Sequence, residues 1–188
     1  MIIFICGTSS SGKSTICQHL QATMPDGWLN FSTDGFLAML GNKFVGLHPD
    51  NPAVCDPNDV CYAKKHRDGT YEIVIGKLCS KLNATIPSVL EMLAKNGFSI
   101  IVDSLITTKK ELHNFRSALS HYAPLFVYLS VSQKAISERE RSRKDRLEGS
   151  AIHLLRSFDF QDECDLIIEP EIEGIDGAVN KIRGLFRC

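Results

Sequence analysis

The sequence lacks the features that mark a membrane protein or a secreted disulfide scaffold. No stretch reaches about 18 uninterrupted apolar residues, which is the length that a spanning helix needs. The apolar opening, residues 1–6, has no basic flank and ends at a glycine, so a signal peptide is not indicated. The seven cysteines form no C-x-x-C pair, and this pattern favours free thiols in a reducing compartment, packed as small apolar side chains.

The sequence also lacks an excess of either charge sign. Twenty-one Lys and Arg stand against 22 Asp and Glu, for a formal net charge of −1. Proteins that coat nucleic acid or an anionic membrane carry a basic surface, so both partners are disfavoured. The 188 residues match one globular domain. We therefore predict a cytoplasmic, single-domain protein over residues 1–188, with its oligomeric state left open.

Apolar runs alternate with helix-period segments, which is typical of an α/β fold on a mostly parallel sheet. The predicted strands are residues 2–6, 28–32, 98–103, 125–129 and 166–169. The predicted helices are residues 13–24, 34–40, 77–96 with a break at Pro87, 109–120, 133–143 and 178–186. Residues 41–59, rich in Gly, Pro, Asn and Asp, predict a long surface loop, and residues 60–65 and 70–75 predict a hairpin because Asp-Gly lies in the turn between them.

The strongest motif is G-x-x-x-x-G-K-[ST], placed between a predicted strand and a predicted helix. Its residues and the one that follows are Gly7, Thr8, Ser9, Ser10, Ser11, Gly12, Lys13, Ser14 and Thr15. The glycines let backbone N–H groups curl around phosphate oxygens at a helix N-terminus, and the lysine reaches the β and γ phosphates. The Ser14 hydroxyl is a ligand for Mg²⁺. The motif therefore predicts a nucleotide site.

Two carboxylates lie at or just after the carboxyl ends of predicted strands and are expected at the same edge of the sheet. Asp103 ends the run 99–102, where it would hold Mg²⁺ directly or through water, or would simply cap the next turn. Asp34 follows the strand 28–32. It would accept the proton of an attacking hydroxyl, bind the metal through water, or act as a helix N-cap.

Residues 139–146 contain four arginines. Arginine stabilises the charge of a transferring phosphoryl group, and a mobile arginine segment can close over a site. Arg139 and Arg143 lie four residues apart and share a helix face, with Arg146 three residues further on. We predict a lid over residues 139–150, and the alternative is a solvated helix face with internal charge pairing.

Other catalytic signatures are missing. The six histidines show no H-E-x-x-H spacing, and no G-x-S-x-G elbow occurs. No N-K-x-D loop follows residues 125–129, where the sequence reads Ser130-Val131-Ser132-Gln133, so ATP is favoured over GTP. Outside the enzyme class, a nucleotide-gated binding module and a structural protein with a vestigial loop stay as alternatives.

Several motifs together resemble the chloramphenicol phosphotransferase-like family. They are the phosphate loop, Met24-Pro25, Trp28-Leu29 with Phe31 and Asp34, Asp68-Gly69, Ile75-Gly76, Ile100-Ile101-Val102-Asp103, Arg139-Glu140, Arg143, Asp145-Arg146 and Gly149. The order of these motifs matches over most of the chain. Joining the loop to Trp-Leu-x-Phe-x-x-Asp and to the arginine segment makes the resemblance more specific than the loop alone.

The resemblance implies a P-loop three-layer α/β fold of the small-kinase type, like shikimate kinase, with a central parallel sheet of about five strands and a lid. It implies ATP and Mg²⁺ as cofactors and a small-molecule hydroxyl as acceptor, with Asp34 as base and with Arg139, Arg143 and Arg146 on the phosphates. Residues 41–76 would form an acceptor-side insertion. The acceptor is left open among an antibiotic, a nucleoside, a sugar, a polyol and a macromolecular hydroxyl, because residues 41–65 have no clear counterpart in the family.

Overall fold

Nine strands and eight helices make up the part of the chain that the computed structural model describes, namely residues 1–24, 27–48, 51–52, 58–142 and 147–186. In chain order they are β1 (Ile2–Cys6), α1 (Lys13–Thr23), β2 (Trp28–Ser32), α2 (Thr33–Ala38), β3 (Val45–His48), β4 (Asn51–Pro52), β5 (Cys61–Lys65), β6 (Tyr71–Val74), α3 (Lys77–Asn83), α4 (Ile86–Lys95), β7 (Ser99–Asp103), α5 (Lys109–Ala118), β8 (Leu125–Leu129), α6 (Gln133–Arg141), α7 (Ser150–Ser157), β9 (Leu166–Ile168) and α8 (Pro170–Gly184). None of the helices in these ranges is both long enough and apolar enough to cross a membrane.

Five parallel strands form the central sheet, in the order β2-β7-β1-β8-β9. β1 lies in the middle, and all five of its residues are buried. A parallel strand covered by helices on both faces requires such an apolar run, which is why this strand could be recognised in the sequence. The predicted α/β fold with about five parallel strands is confirmed.

Alternate residues of the sheet enter two separate cores, because successive side chains of a strand point to opposite faces. Phe4 packs on one face with residues of α4 and α5, including Leu90 and Leu112. Ile3 and Ile5 pack on the other face with apolar residues of α1 and α8. The two cores make the molecule a three-layer structure.

A second, smaller sheet covers much of the predicted insertion, in the order β4-β3-β5-β6. β5 and β6 form the predicted antiparallel hairpin, whereas β3 pairs with β5 in parallel. The prediction of an extended loop over residues 41–59 is therefore wrong where β3 and β4 form, and residues 49–50 and 53–57 lie outside the described part. The turn-forming composition is compatible with very short strands, whose pairing depends on distant partners.

The helices agree with the sequence pattern except near the C-terminus. The predicted break at Pro87 is confirmed, since α3 and α4 are separate helices with the proline in the first turn of α4. α7 was not predicted at all, and α6 ends at Arg141. α8 begins at Pro170 rather than at residue 178 and bends at Gly174, which has φ 66°. This glycine disrupted the periodicity from which the helix start was predicted.

The five cysteines in the described part of the chain divide into two groups. The structure records a disulfide between Cys61 on β5 and Cys79 on α3, both buried, so the expectation of free thiols alone is wrong. Their separation of 18 residues carries no spacing signal, because the two side chains meet only in the folded chain. Cys6, Cys17 and Cys164 are free, and burial raises the pKa of each thiol, as suits small apolar side chains.

Candidate active site

The carboxyl ends of three central strands position the candidate site. In the strand register Asp103 of β7 lies opposite Ile5 of β1 on one side and opposite Ser32 of β2 on the other. Thr33, which follows β2, donates its hydroxyl proton to the Asp103 carbonyl oxygen at 3.1 Å. This edge therefore brings together the phosphate loop, Asp103 and the start of α2, as ligand sites in parallel sheets do.

The phosphate loop requires glycine where it leaves β1. Gly7 has φ 145°, and a Cβ there would lie 3.0 Å from Ser11 Oγ and 3.2 Å from the Leu129 carbonyl oxygen. Gly12 precedes α1 with φ 99°, and Ser10 also adopts a positive φ of 62°. The hydroxyl oxygens of Ser10 and Ser11 are buried without a hydrogen-bond partner. A loop of this shape with unsatisfied polar groups is ready to bind an anion.

Lys13 and Ser14 begin α1 at the end of this loop. Lys13 Nζ donates to the Thr8 carbonyl oxygen at 2.9 Å. Burial lowers the pKa of Lys13, and the carboxylates of Asp103 and Asp34 oppose that shift. The Ser14 hydroxyl donates to Asp103 Oδ2 at 2.6 Å. The two residues predicted to hold a metal are therefore in direct contact, and both offer the oxygen ligands that Mg²⁺ prefers.

Asp34 lies in the first turn of α2 with its side chain exposed to the cleft. The cap of this helix is Ser32, whose Oγ accepts a hydrogen bond from the Gly35 N–H at 3.1 Å. The alternative in which Asp34 serves as the helix cap is therefore wrong. Its carboxylate is left facing the same cleft as Lys13 and Asp103.

Arg139 is the only predicted arginine within the described part of the chain. Its Nη1 donates to the carbonyl oxygens of Ser10 at 3.2 Å and Ser11 at 3.1 Å, so the guanidinium lies beside the phosphate loop. Arg143 and Arg146 lie outside the described residues.

The sequence pattern did not predict the role of Glu140, which is 1% exposed. Its carboxylate accepts hydrogen bonds from the Gly149 N–H at 2.9 Å, the Ala151 N–H at 2.8 Å and the Ser150 hydroxyl at 3.1 Å. Glu140 therefore caps α7 from the neighbouring α6. A second contact links α7 to the phosphate loop, since the Thr8 hydroxyl donates to the Ala151 carbonyl oxygen at 2.9 Å. Glu140 stood inside a charge run, and nothing in that run marked it as buried.

These elements enclose a cleft of about 450 Å³. Its floor is residues 9–16 with Asp34, Asp103 and Arg139, and its walls are Ile73, Leu105, Ser142, Leu147, Ser150, Leu154, Pro170 and Ile175. Leu105 follows β7 and Pro170 follows β9, and these strands lie on opposite sides of β1. The cleft therefore has two ends with the phosphate loop between them, and each end has apolar walls.

In solved structures the fold is similar to that of the tunicamycin resistance protein of Deinococcus radiodurans, with TM-score 0.63 and 16% identity over 99% of this chain and 95% of that one. A gluconokinase from Sinorhizobium meliloti 1021 has TM-score 0.61 and 18% identity, over 98% and 92%. The APS kinase of Mycobacterium tuberculosis, in complex with AMPPNP and APS, has TM-score 0.65 and 12% identity, over 100% and 97%. No curated protein matches the chain at the level of sequence.

The sheet order and the loop between β1 and α1 define the class as a P-loop kinase fold. The family of chloramphenicol phosphotransferase-like proteins matches residues 1–174, so the chain belongs to that family. The protein is therefore an ATP-dependent phosphotransferase.

Proposed function

We propose that the protein transfers the γ-phosphoryl group of ATP to the hydroxyl of a small, partly apolar molecule, with Asp34 as general base. The observation that carries this proposal is the free Asp34 carboxylate in the cleft that also holds Lys13. Transfer to a hydroxyl needs a proton acceptor near the nucleophile. Transfer to a phosphate would not need such a base, so a hydroxyl acceptor is favoured.

Phosphate binding is assigned to the loop from Gly7 to Thr15 in this proposal. The backbone N–H groups of the loop, the two buried serine hydroxyls and the N-terminus of α1 supply positive potential. Lys13 would exchange its bond to the Thr8 carbonyl oxygen for the β and γ phosphates. Arg139 holds the loop through the Ser10 and Ser11 carbonyl oxygens and adds positive charge beside it. Arg143 and Arg146 stay predictions as further phosphate ligands.

The contact between Ser14 and Asp103 fits a magnesium site. The hydroxyl and the carboxylate lie 2.6 Å apart, and hard oxygen ligands in this arrangement suit Mg²⁺, which retains several waters beside them. A bound Mg²⁺ would neutralise charge on the phosphate oxygens. Ser14 and Asp103 would hold and orient the ion, and the latter would do so directly or through a water.

The acceptor is assigned to the end of the cleft that contains Asp34, because a general base must lie beside the attacking hydroxyl, and Ile73 and Leu105 of the cleft lining are assigned to its wall there. The nucleoside would then lie at the opposite end, against Pro170 and Ile175. Apolar walls favour an acceptor with an apolar part over a polyol, whose hydroxyls would be left without partners there. A cytoplasmic location, where ATP is available, belongs to the same proposal.

The test is mass-detected transfer from ATP and Mg²⁺ across a panel of acceptors. The panel contains chloramphenicol, tunicamycin, nucleosides, gluconate, other sugars and simple apolar alcohols, and each product is located by ³¹P NMR. We expect partly apolar alcohols to be phosphorylated on oxygen, and Asp34→Asn to abolish that product. Asp162→Asn is the matched control, because this carboxylate is exposed and pairs with Lys109 outside the cleft. Exclusive phosphorylation of polyols, or of phosphate groups, would contradict the acceptor assignment.

A further inference from the structure

A cluster of metal-binding side chains lies outside the cleft, between the small sheet and α7. His66 lies in the hairpin turn, Glu72 on β6 and His153 on α7. One potential ligand atom from each lies within 4.8 Å of the other two. Among the residues that the structure describes, this is the only group of three or more such side chains. We propose that His66, Glu72 and His153 bind one divalent transition-metal ion of the zinc type, independently of the kinase reaction.

His66 and Glu72 lie near the separation of neighbouring metal ligands, and a small opening of the pair would admit the ion. His66 Nε2 lies 3.0 Å from Glu72 Oε2, and two ligands of a tetrahedral zinc ion with bonds of about 2.0–2.1 Å lie roughly 3.4 Å apart. A metal ion would replace the proton between these two atoms and release it to solvent. Glu72 also faces Lys64 Nζ at 3.8 Å, and this exposed ammonium would turn away. Two imidazoles and a carboxylate form a donor set that zinc uses in proteins.

His153 has an outer partner of the kind that orients metal-binding histidines. Its Nδ1 lies 3.4 Å from Thr70 Oγ1, while the Thr70 hydroxyl donates its only proton to Asp68 Oδ1 at 2.7 Å. Thr70 Oγ1 can therefore only accept from His153, which favours the tautomer with the proton on Nδ1 and the lone pair on Nε2. Arg156 completes the chain by donating to Asp68 Oδ2 at 2.9 Å. Such partners hold the tautomer that a metal requires.

The two imidazole rings stack, with centroids 4.6 Å apart and planes inclined by 16°. A bound ion lies in the plane of each ring, so binding turns one ring out of the stack. An open pocket of about 600 Å³ beside the rings gives room for this rotation, and His66, Arg67 and Thr70 are among its lining residues. Binding therefore requires a change of side-chain rotamers.

The position of the cluster defines what a metal ion would do. At the N-terminus of α7 the backbone touches the hairpin, because a Cβ on Gly149 would lie 3.2 Å from Thr70 Cα. At the same end of α7, the Ala151 carbonyl oxygen accepts a hydrogen bond from the Thr8 hydroxyl of the phosphate loop. An ion shared by His66, Glu72 and His153 would fasten the hairpin to α7. The ion would thus be structural and would support one wall of the cleft.

The experiment measures metal binding by the tag-free, metal-stripped chain. Zn²⁺ is titrated by calorimetry, and Co²⁺ is titrated by absorption spectroscopy. We expect one saturable equivalent, a cobalt spectrum without the ultraviolet band of thiolate ligands, and an increase of the melting temperature on saturation. None of these three readouts depends on nucleotide or activity. Absence of saturable binding, or a thiolate band that assigns the ion to cysteines, would overturn the proposal.

Three variants distinguish loss of metal binding from loss of folding. His153→Asn and Glu72→Gln should not bind the ion at concentrations that saturate the wild type. Thr70→Val, which removes only the outer partner, should weaken binding by about 10- to 100-fold. His113→Ala is the matched control, because His113 contacts Glu163 elsewhere on the surface and, among the described residues, belongs to no group of three such side chains. This variant should bind the ion normally. If His153→Asn does not fold, the test rests on Glu72→Gln, which lies on the exposed hairpin. A metal affinity equal to that of the wild type in Glu72→Gln would contradict the proposed site.

Discussion

The phosphate-loop end of the central sheet and the half built from the small sheet and α7 are stabilised in different ways. β1, which leads into the loop, is fully buried and pairs with two parallel neighbours. By contrast, all four residues of β6 are only partly buried, and α7 is held by the Glu140 carboxylate and by contacts between side chains. The groups assigned to phosphoryl transfer, including Asp34, therefore lie on the phosphate-loop end of the central sheet, which is the rigid half. The wall assigned to the acceptor belongs to the other half, which has fewer buried contacts.

The largest expected effect tests the rigid half. Lys13→Ala should remove the only lysine of the loop and lower kcat/KM on the order of 10³-fold, while ATP affinity also falls. Steady-state kinetics and nucleotide titration measure both quantities. Lys110→Ala, an exposed lysine of α5, is the control and should keep both values. Unchanged ATP affinity in Lys13→Ala would count against the phosphate-loop assignment.

Asp34→Asn should separate binding from chemistry. The amide cannot accept the proton of the attacking hydroxyl, so we expect kcat to fall by about 10²- to 10⁴-fold with ATP affinity nearly unchanged. Single-turnover transfer and nucleotide titration give the two values. Full transfer activity in this variant would eliminate Asp34 as the base.

Asp103→Asn should weaken the binding of Mg²⁺. Loss of the carboxylate next to Ser14 should raise the Mg²⁺ concentration for half-maximal activity by about 10- to 100-fold, in line with the effect of removing groups that support a metal. The activity is measured as a function of free Mg²⁺ at fixed ATP. A metal dependence equal to that of the wild type would show that Asp103 only orders the strand ends.

Glu140→Leu should affect the stability of α7. The substitution leaves the Gly149 and Ala151 N–H groups unsatisfied, and removal of such buried acceptors costs about 1–3 kcal/mol each. Hydrogen exchange of α7 should accelerate while exchange in β1 stays slow, and thermal unfolding should begin at a lower temperature. Glu148→Leu is the matched control, because that carboxylate is exposed and pairs with Arg141 at the surface. Equal hydrogen-exchange rates of α7 in the two variants would contradict the proposed difference in stability between the two halves.

The smallest effect concerns the acceptor wall. Ile73→Ser on β6 should raise the KM of a partly apolar acceptor by about 10-fold, which corresponds to the loss of roughly 1.4 kcal/mol of apolar contact. The KM for ATP should stay the same, because Ile73 belongs to the small sheet. A change in the KM for ATP alone would place the nucleoside, and not the acceptor, at this end of the cleft.

Most of the fold and the floor of the site could be predicted, because their signals are local. A continuous apolar run identifies β1, the positions of Gly7 and Gly12 identify the loop, and Pro87 marks a helix boundary. The missed features depend on distant partners. Glu140 looks like one charge among many until α7 packs against it, and α7 itself is short and begins after a segment of charged residues.

The sequence alone determined the class of chemistry, since strand, glycine loop and Lys13 are contiguous and their function follows from backbone geometry. It also placed Asp34 and Asp103 after strands, and parallel strands end at one edge. Only the tertiary structure decided that Ser32 rather than Asp34 caps α2, that Ser14 and Asp103 touch, and that His66, Glu72 and His153 meet. Each of these depends on side chains from separate elements, whose approach is set by packing of the whole chain and not by spacing along it.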